Sequence, residues 1–283
     1  MIVAAISLCA TGCKMTTSDK DTGLAIDTVV YDSVQGTNIK CVLTIDYPQG
    51  DDSLATGIKQ FIARELATMY LPYINDEDLT DSTKYPTYNG DINDGQQLAG
   101  YYGDGTMRYL LDLRKDVEEA YTNTPEREMP PLSYLLKICK TDSTSTYITY
   151  CVEGDYYLGG AHHSASRYCR NISTKTYQPV DNMLDPAQLQ ALQPTLRKYL
   201  LQCLKASGVA SVTDATLGDY LILPDDGLVP LPAHSPWLEK DSLCFIYQPY
   251  EIASHAVGAI SFKVPAKDIL PYLTKEAKEL VGQ

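Results

Sequence analysis

The sequence predicts an α+β fold in which an antiparallel β-sheet meander packs with two to four helices. Several short segments alternate apolar and polar residues, as strands with one buried face do. Longer segments repeat apolar residues every three to four positions, which indicates helices with one buried stripe. With 283 residues, 44% of them hydrophobic, the chain is long enough to bury a sizeable core.

The first predicted elements are a hairpin and a helix. Residues 28–31 and 39–47 alternate apolar and polar side chains, and Gly36-Thr37-Asn38 supplies the turn between them. Ser53 is expected to cap the helix that follows, which ends before Pro72. The apolar stripe of this helix consists of Leu54, Ile58, Phe61, Ile62, Leu66 and Met69.

A long polar and acidic stretch, residues 75–106, comes next, and part of it is predicted to be helical from Gln96 onward. The run that begins at Asp91 starts like a calcium-binding EF-hand loop. However, Gln96 occupies the place of the turn glycine and Tyr102 that of the closing glutamate. The spacing therefore favours a solvated acidic loop over a calcium site.

Three alternating segments, 132–140, 146–152 and 165–172, predict consecutive strands of an antiparallel meander. Their connections contain turn-forming residues at 141–143 and 159–161.

The last third of the chain predicts a long helix, two more strands and a terminal helix. The long helix starts at Pro186 and stops at Gly208, and Pro194 indicates either a kink or a boundary between two pieces. The strands are predicted at 243–247 and 259–264, and the terminal helix at 265–281 is expected to break near Pro271.

Composition narrows the classes of partner. The chain has 36 acidic and 23 basic residues, a formal net charge of −13, which repels nucleic-acid backbones. Nucleic acid is therefore not an expected partner. Of the aromatic residues, 22 are Tyr against 3 Phe and 1 Trp, a composition that suits amphipathic packing at strand edges and also surfaces that recognise proteins or sugars.

The N-terminus resembles a bacterial lipoprotein signal. Residues 1–12 are uncharged and mainly apolar and end in the small residues Ala10-Thr11-Gly12, directly before Cys13. We expect residues 1–12 to be the signal peptide, Cys13 the lipidated residue, and 13–26 a flexible tether. The protein would then be exported and lipid-anchored in the bacterial cell envelope, in the periplasm or at the cell surface.

Processing at Cys13 would leave six cysteines, an even number that fits an oxidising compartment. They are Cys41, Cys139, Cys151, Cys169, Cys203 and Cys244. Because Cys139, Cys151 and Cys169 fall on three consecutive predicted strands, they are candidates to be neighbours in the sheet. Buried thiols are the alternative, since cysteine is among the most buried residue types.

Two motifs give the chain a family resemblance. One is Tyr157-Leu158-Gly159-Gly160-Ala161-His162, and the other runs from Phe245 to Gly258 and contains Tyr250-Glu251-Ile252-Ala253. With the order of helices and strands around them, these motifs resemble the paired extracellular domains of the anti-sigma factor RsiV and the deacetylase PdaC. The resemblance implies two related subdomains that form one compact unit: a PdaC-like, DUF4163-like domain at 27–176 and a DUF3298-like domain at 177–283.

The family resemblance implies a noncatalytic extracellular domain that recognises a protein or a cell-wall glycan, with a lysozyme-like muramidase as one possible partner. No cofactor is expected. The candidate binding residues lie in and around the two motifs: Tyr156, Tyr157, Gly159, Gly160, Ala161, His162, His163, Tyr250, Glu251 and His255.

The motifs also allow a purely architectural interpretation. Paired glycines permit positive φ and a close backbone approach at a strand junction. His162 would then hydrogen-bond across to Tyr250 or Glu251 and tie the two halves of the chain together.

An enzyme is the alternative to a binding protein. A metal-dependent or cell-wall hydrolase would need about three converging ligands, and His162, His255 and Glu251 are the set that the sequence offers. The neighbouring His162 and His163 are expected to point to opposite faces of a strand, so they do not form a pair for one metal ion. The sequence has no HExxH motif, and no GxSxG or SxxK motif in a convincing context.

Overall fold

The computed structural model describes residues 23–36, 38–75, 87–121 and 128–282, so the predicted signal peptide and Cys13 lie outside the described residues. The strands are β1 Ile26–Gln35, β2 Ile39–Pro48, β3 Leu132–Ser143, β4 Tyr147–Tyr157, β5 Ser164–Ser173, β6 Trp237–Glu239, β7 Ser242–Tyr247 and β8 Ile260–Pro265. The α-helices are α1 Ser53–Thr68, α2 Leu71–Asn75, α3 Gly95–Tyr121, α4 Leu189–Ala206, α5 Ala266–Ile269 and α6 Lys275–Leu280.

The first sheet has five strands in the order β1-β2-β3-β4-β5. The predicted hairpin and the three-strand meander are both present and antiparallel. The α+β class is confirmed. One pairing was not predicted: β2 and β3 run parallel, because the chain crosses over through α1, α2 and α3 between them.

One detail of the first helices differs from the sequence prediction, and another agrees with it. Asp52, not Ser53, caps α1, since its carboxylate accepts hydrogen bonds from the backbone N–H groups of Leu54 and Ala55. The predicted helix near Gln96 is confirmed as α3, which is 27 residues long. It packs across β1 and β2 and covers that face of the sheet.

The second sheet has the order β6-β7-β8 and is antiparallel. The sequence reading missed β6, a strand of three residues, because so short a segment has no measurable alternation. Pro194 lies inside the continuous helix α4 and does not divide it. The terminal helix is interrupted near Pro271, as predicted, and appears as α5, a 3-10 turn and α6.

Each sheet has its own hydrophobic core, one beneath the five-stranded sheet and one between the second sheet and α4 to α6. A third, small cluster lies between the sheets and consists of Cys151, Cys169, Trp237, Cys244 and Ile246. The two sheets are therefore joined by buried side chains as well as by the chain itself. No helix in the described parts of the chain is long and apolar enough to cross a membrane.

Two side-chain amides connect the sheets, because each bonds both the N–H and the carbonyl of one backbone residue, as a neighbouring strand does. The Asn171 side chain accepts from the Leu238 N–H at 2.6 Å and donates to the Leu238 carbonyl at 2.9 Å. The Gln248 side chain does the same for Arg167, accepting from its N–H at 3.1 Å and donating to its carbonyl at 2.8 Å. We call these two contacts the amide clamps. They bind the edge of β5 to the second sheet.

The predicted cysteine neighbours are confirmed. Cys139, Cys151 and Cys169 are in register across β3, β4 and β5, and Cys151 and Cys169 form a disulfide. Cys244 is a buried thiol in the same cluster, where burial raises its pKa to about 12 and keeps it protonated. The alternative of buried thiols therefore holds for Cys244, while the disulfide holds for Cys151 and Cys169.

Candidate functional site

The first motif begins at the end of β4 and forms the turn to β5. The Tyr157 hydroxyl donates to the Gly160 carbonyl at 2.9 Å, and the Tyr157 ring stacks on His163 with the centroids 4.8 Å apart. Tyr156 instead stacks on buried Tyr134 and packs against the first core. Tyr157 and His163 therefore contribute to the surface, whereas Tyr156 is largely a core residue.

The two glycines of the turn have different roles. Gly159 has a φ of 83°, and a Cβ there would lie 3.1 Å from Pro130, so this position favours glycine. Gly160 lacks a positive φ and has open space around its Cα. Of the two glycines expected to permit a positive φ at this junction, Gly159 adopts one and Gly160 does not. Ala161, the next residue, is exposed.

His162 makes the predicted contact with the second motif. Its Nδ1 lies 3.0 Å from the carbonyl oxygen of His163, and because a carbonyl only accepts, Nδ1 carries the hydrogen. In the neutral ring Nε2 is then an acceptor, and it receives the Tyr250 hydroxyl at 3.4 Å. The His162 ring also stacks on His255, with the centroids 3.9 Å apart. The expected hydrogen bond between the motifs is confirmed, with Tyr250 as partner.

His163 contacts different residues from His162, although both histidines lie in the turn between β4 and β5 and not in a strand as expected. Its Nδ1 donates to the Asp155 carboxylate at 2.9 Å, while its ring stacks on Tyr157. The two histidines thus contact different neighbours, and together with Tyr250 and His255 they form a surface that we call the aromatic patch. It consists of Tyr157, His162, His163, Tyr250 and His255.

Tyr250 is the most prominent residue of the aromatic patch. Its side chain is 62% exposed, and its backbone has a φ of 70°, a left-handed conformation that is uncommon for a bulky residue. Such strain costs about 1–3 kcal/mol and persists where the surroundings hold it. The fold therefore holds a large aromatic ring in solvent at an energetic cost.

Glu251 holds the loop that carries Tyr250. One carboxylate oxygen accepts from the Ala233 N–H at 2.5 Å and the other from the Gln248 N–H at 2.7 Å. Both oxygens are therefore used by backbone groups, and Glu251 does not join His162 and His255 as a third ligand. Within the described ranges, no group of three His, Cys, Asp or Glu side chains is arranged to hold a metal ion.

Sequence reasoning missed two exposed apolar residues, one in the second motif and one hydrogen-bonded to it. Ile222 is 63% exposed, and its N–H donates to the Ile252 carbonyl at 2.8 Å, which places it against the second motif. Val257, in the 3-10 turn that starts at His255, is 52% exposed. Neither residue carries a sequence signal, because an exposed Ile or Val is not distinguishable from a buried one by type alone.

The match to a family model falls on the part of the chain that carries Tyr250 and His255. The segment 181–267 matches the family model described as "Protein of unknown function (DUF3298)". These residues are similar to that family. The predicted DUF3298-like part is thereby confirmed, while the DUF4163-like assignment of residues 27–176 stays a prediction. No curated protein matches the chain.

Two solved structures share the fold over nearly the whole chain. A DUF3298 family member from Bacteroides fragilis NCTC 9343 is 19% identical, with a TM-score of 0.64, and the match covers 93% of this chain and 100% of that one. A DUF3298 family protein from Pseudomonas aeruginosa PAO1 is 16% identical, with a TM-score of 0.57, and the match covers 90% and 96%. At these identities the likeness concerns the fold alone.

Proposed function

We propose that this chain is a noncatalytic binding protein of the bacterial cell envelope, which recognises a protein or glycan ligand through the aromatic patch. The observation that carries the proposal is Tyr250, a strained and 62% exposed ring beside His162 and His255. Exposed aromatic rings give a large contact area at little entropic cost, and Tyr is enriched among the residues that dominate binding energy.

The surroundings of the patch support binding rather than catalysis. The Glu251 carboxylate already accepts two backbone hydrogen bonds, and the His162 and His255 rings stack face to face. Val257 in the second motif and Ile222, which is hydrogen-bonded to that motif, are exposed apolar residues. The resemblance to RsiV-like domains suggests a lysozyme-like muramidase as a first partner to test, and cell-wall glycan as the second.

The Tyr250→Ala variant is expected to weaken ligand binding by about 10- to 100-fold, as truncation of an aromatic hot spot does. Biolayer interferometry with hen egg-white lysozyme and with soluble peptidoglycan fragments measures the change. Tyr177→Ala is the matched control, because Tyr177 is also exposed (37%) and also has a positive φ (59°). It is expected to bind like the wild type.

Three results would contradict the proposal. Equal binding by Tyr250→Ala and the wild type would remove the patch from the recognition surface. Failure of the wild type to bind either probe would exclude both proposed ligands. Release of dye from labelled peptidoglycan by the purified protein, lost in His162→Ala, would show catalysis instead of recognition.

We also propose that a lipid on Cys13 anchors the protein in the cell envelope. The Cys151–Cys169 disulfide supports it, since disulfides persist in oxidising compartments. The Cys13→Ser variant is expected to move from the membrane pellet to the soluble envelope fraction. Cys203→Ser serves as the control and is expected to remain with the membranes. A Cys13→Ser protein that still pellets with the membranes would contradict lipidation.

A further inference from the structure

Residues 230–236, which we call the junction segment, connect β5 to the loop of the aromatic patch. On one side, the His234 ring stacks on Tyr168 of β5, with the centroids 3.9 Å apart and the planes within 9°. Arg170 of β5 donates to the Ser235 carbonyl at 3.3 Å. On the other side, the Ala233 N–H donates to Glu251, which also holds Gln248 and thereby one amide clamp.

His234 sits in surroundings that disfavour a positive charge. The His234 side chain is partly buried. The Arg170 guanidinium of β5 lies over the ring of Tyr168, on which His234 stacks, at 5.3 Å from the centroid of that ring. Burial and, second, the charge of Arg170 lower the pKa of His234 to about 4. The ring is therefore neutral at pH 7.

The acidic groups around the His234–Tyr168 stack do not offset the effect of the Arg170 charge on His234. The carboxylate of Glu65, on α1, accepts the Tyr168 hydroxyl at 2.6 Å beneath the stack. The pKa of Glu65 is raised, mainly by burial and in small part by Asp181. Glu251, from the loop before His255, is bonded to the Ala233 backbone.

We propose that protonation of His234 opens the junction segment and releases the loop that carries Tyr250 and His255, so that this corner of the fold is an acid-sensitive switch. The contact between His234 and Tyr168 closes the switch, and Arg170 opposes the protonated ring. Glu251 transmits the movement, because it bonds both Ala233 in the segment and Gln248 in the loop. The switch does not depend on which ligand the patch binds.

Proton linkage determines the direction in which pH shifts the opening equilibrium. The closed form takes up the His234 proton only near pH 4, while an opened, solvated imidazole takes it up near its ordinary pKa of about 6.5. The His234 proton therefore raises the equilibrium constant for opening as pH falls, by about 30-fold from pH 8 to pH 5. Glu65 acts in the opposite direction, since its raised pKa means that proton uptake favours the closed form.

Hydrogen exchange of the full chain, followed by mass spectrometry at pH 8 and pH 5 and corrected for intrinsic exchange, tests the switch. From pH 8 to pH 5, protection of the backbone N–H groups of Ala233 and Gln248 is expected to fall about 30-fold further in the wild type than in a variant without the His234 proton. His234→Phe preserves the ring stack without the proton and is expected to lose this dependence. Carboxylates titrate in both proteins, so the difference between the two reports His234.

An equal loss of protection in His234→Phe, or no loss in the wild type, would overturn the proposal. If His234→Phe does not fold, NMR titration of the wild-type imidazole decides the question. A His234 signal that titrates near pH 4 agrees with the switch, and one that titrates near pH 6.5 overturns it.

Discussion

Replacing Asn171 by alanine is expected to lower the free energy of unfolding by about 3 kcal/mol, because buried polar groups that lose their partners each cost about 1–3 kcal/mol. Asn171 is only 1% exposed, and its amide satisfies both the N–H and the carbonyl of Leu238. It also donates to the Thr149 hydroxyl at 2.9 Å. Alanine leaves all three groups without this partner in a buried location.

Urea denaturation measures the Asn171→Ala loss as a lower midpoint at similar slope. The control is Asn182→Ala, in an exposed residue, which is expected to change stability by less than about 0.5 kcal/mol. Asn171→Asp is informative as well, since it preserves the acceptor for the Leu238 N–H and removes only the donor. A loss below about 1 kcal/mol for Asn171→Ala would mean that the clamp contributes little, since even one orphaned group costs that much.

Removing the Cys151–Cys169 disulfide is the second large effect. The bond joins positions 18 residues apart, and closing a loop of that size restricts the unfolded chain by about 3 kcal/mol. Both cysteines are buried beside Trp237, so alanine substitution also removes packing. The double variant Cys151→Ala/Cys169→Ala is therefore expected to lose at least about 3 kcal/mol of stability.

Adding a reductant distinguishes the contribution of the disulfide bond to stability from that of side-chain packing. The wild type is expected to lose stability when dithiothreitol is added, while the double variant does not respond. Cys203→Ala, which changes a partly exposed thiol bonded to the Ser261 carbonyl, serves as the control and is expected to respond like the wild type. If the wild type unfolds at the same denaturant concentration with and without reductant, the disulfide does not stabilise the fold.

Local patterns predicted most of the fold, because alternation and helical spacing are properties of neighbouring residues. The strands of the meander, the long helices and the alignment of Cys139, Cys151 and Cys169 all follow from such patterns. The parallel pairing of β2 with β3 could not be predicted in this way, since it depends on how a long crossover returns to the sheet. Asn171 and Gln248 give no pattern either, because a single amide has no period.

The candidate site was predictable in part. The hydrogen bond from Tyr250 to His162 was expected from motif order, and the structure has it. The role of Glu251 was not expected, because its partners Ala233 and Gln248 are backbone groups whose position depends on tertiary packing. Ile222 contacts the second motif through a backbone hydrogen bond to Ile252, a contact that residue types do not reveal.

The Gln248 clamp also affects how molecules of this protein contact one another. β5 is the outer strand of its sheet, and an open strand edge is a template on which a second chain adds and aggregates. Gln248 occupies both backbone groups of Arg167, and farther along the Val180 N–H donates to the Asn171 carbonyl. These partners belong to the same chain. At these positions the outer edge of β5 is therefore not open to pairing with a strand of another molecule.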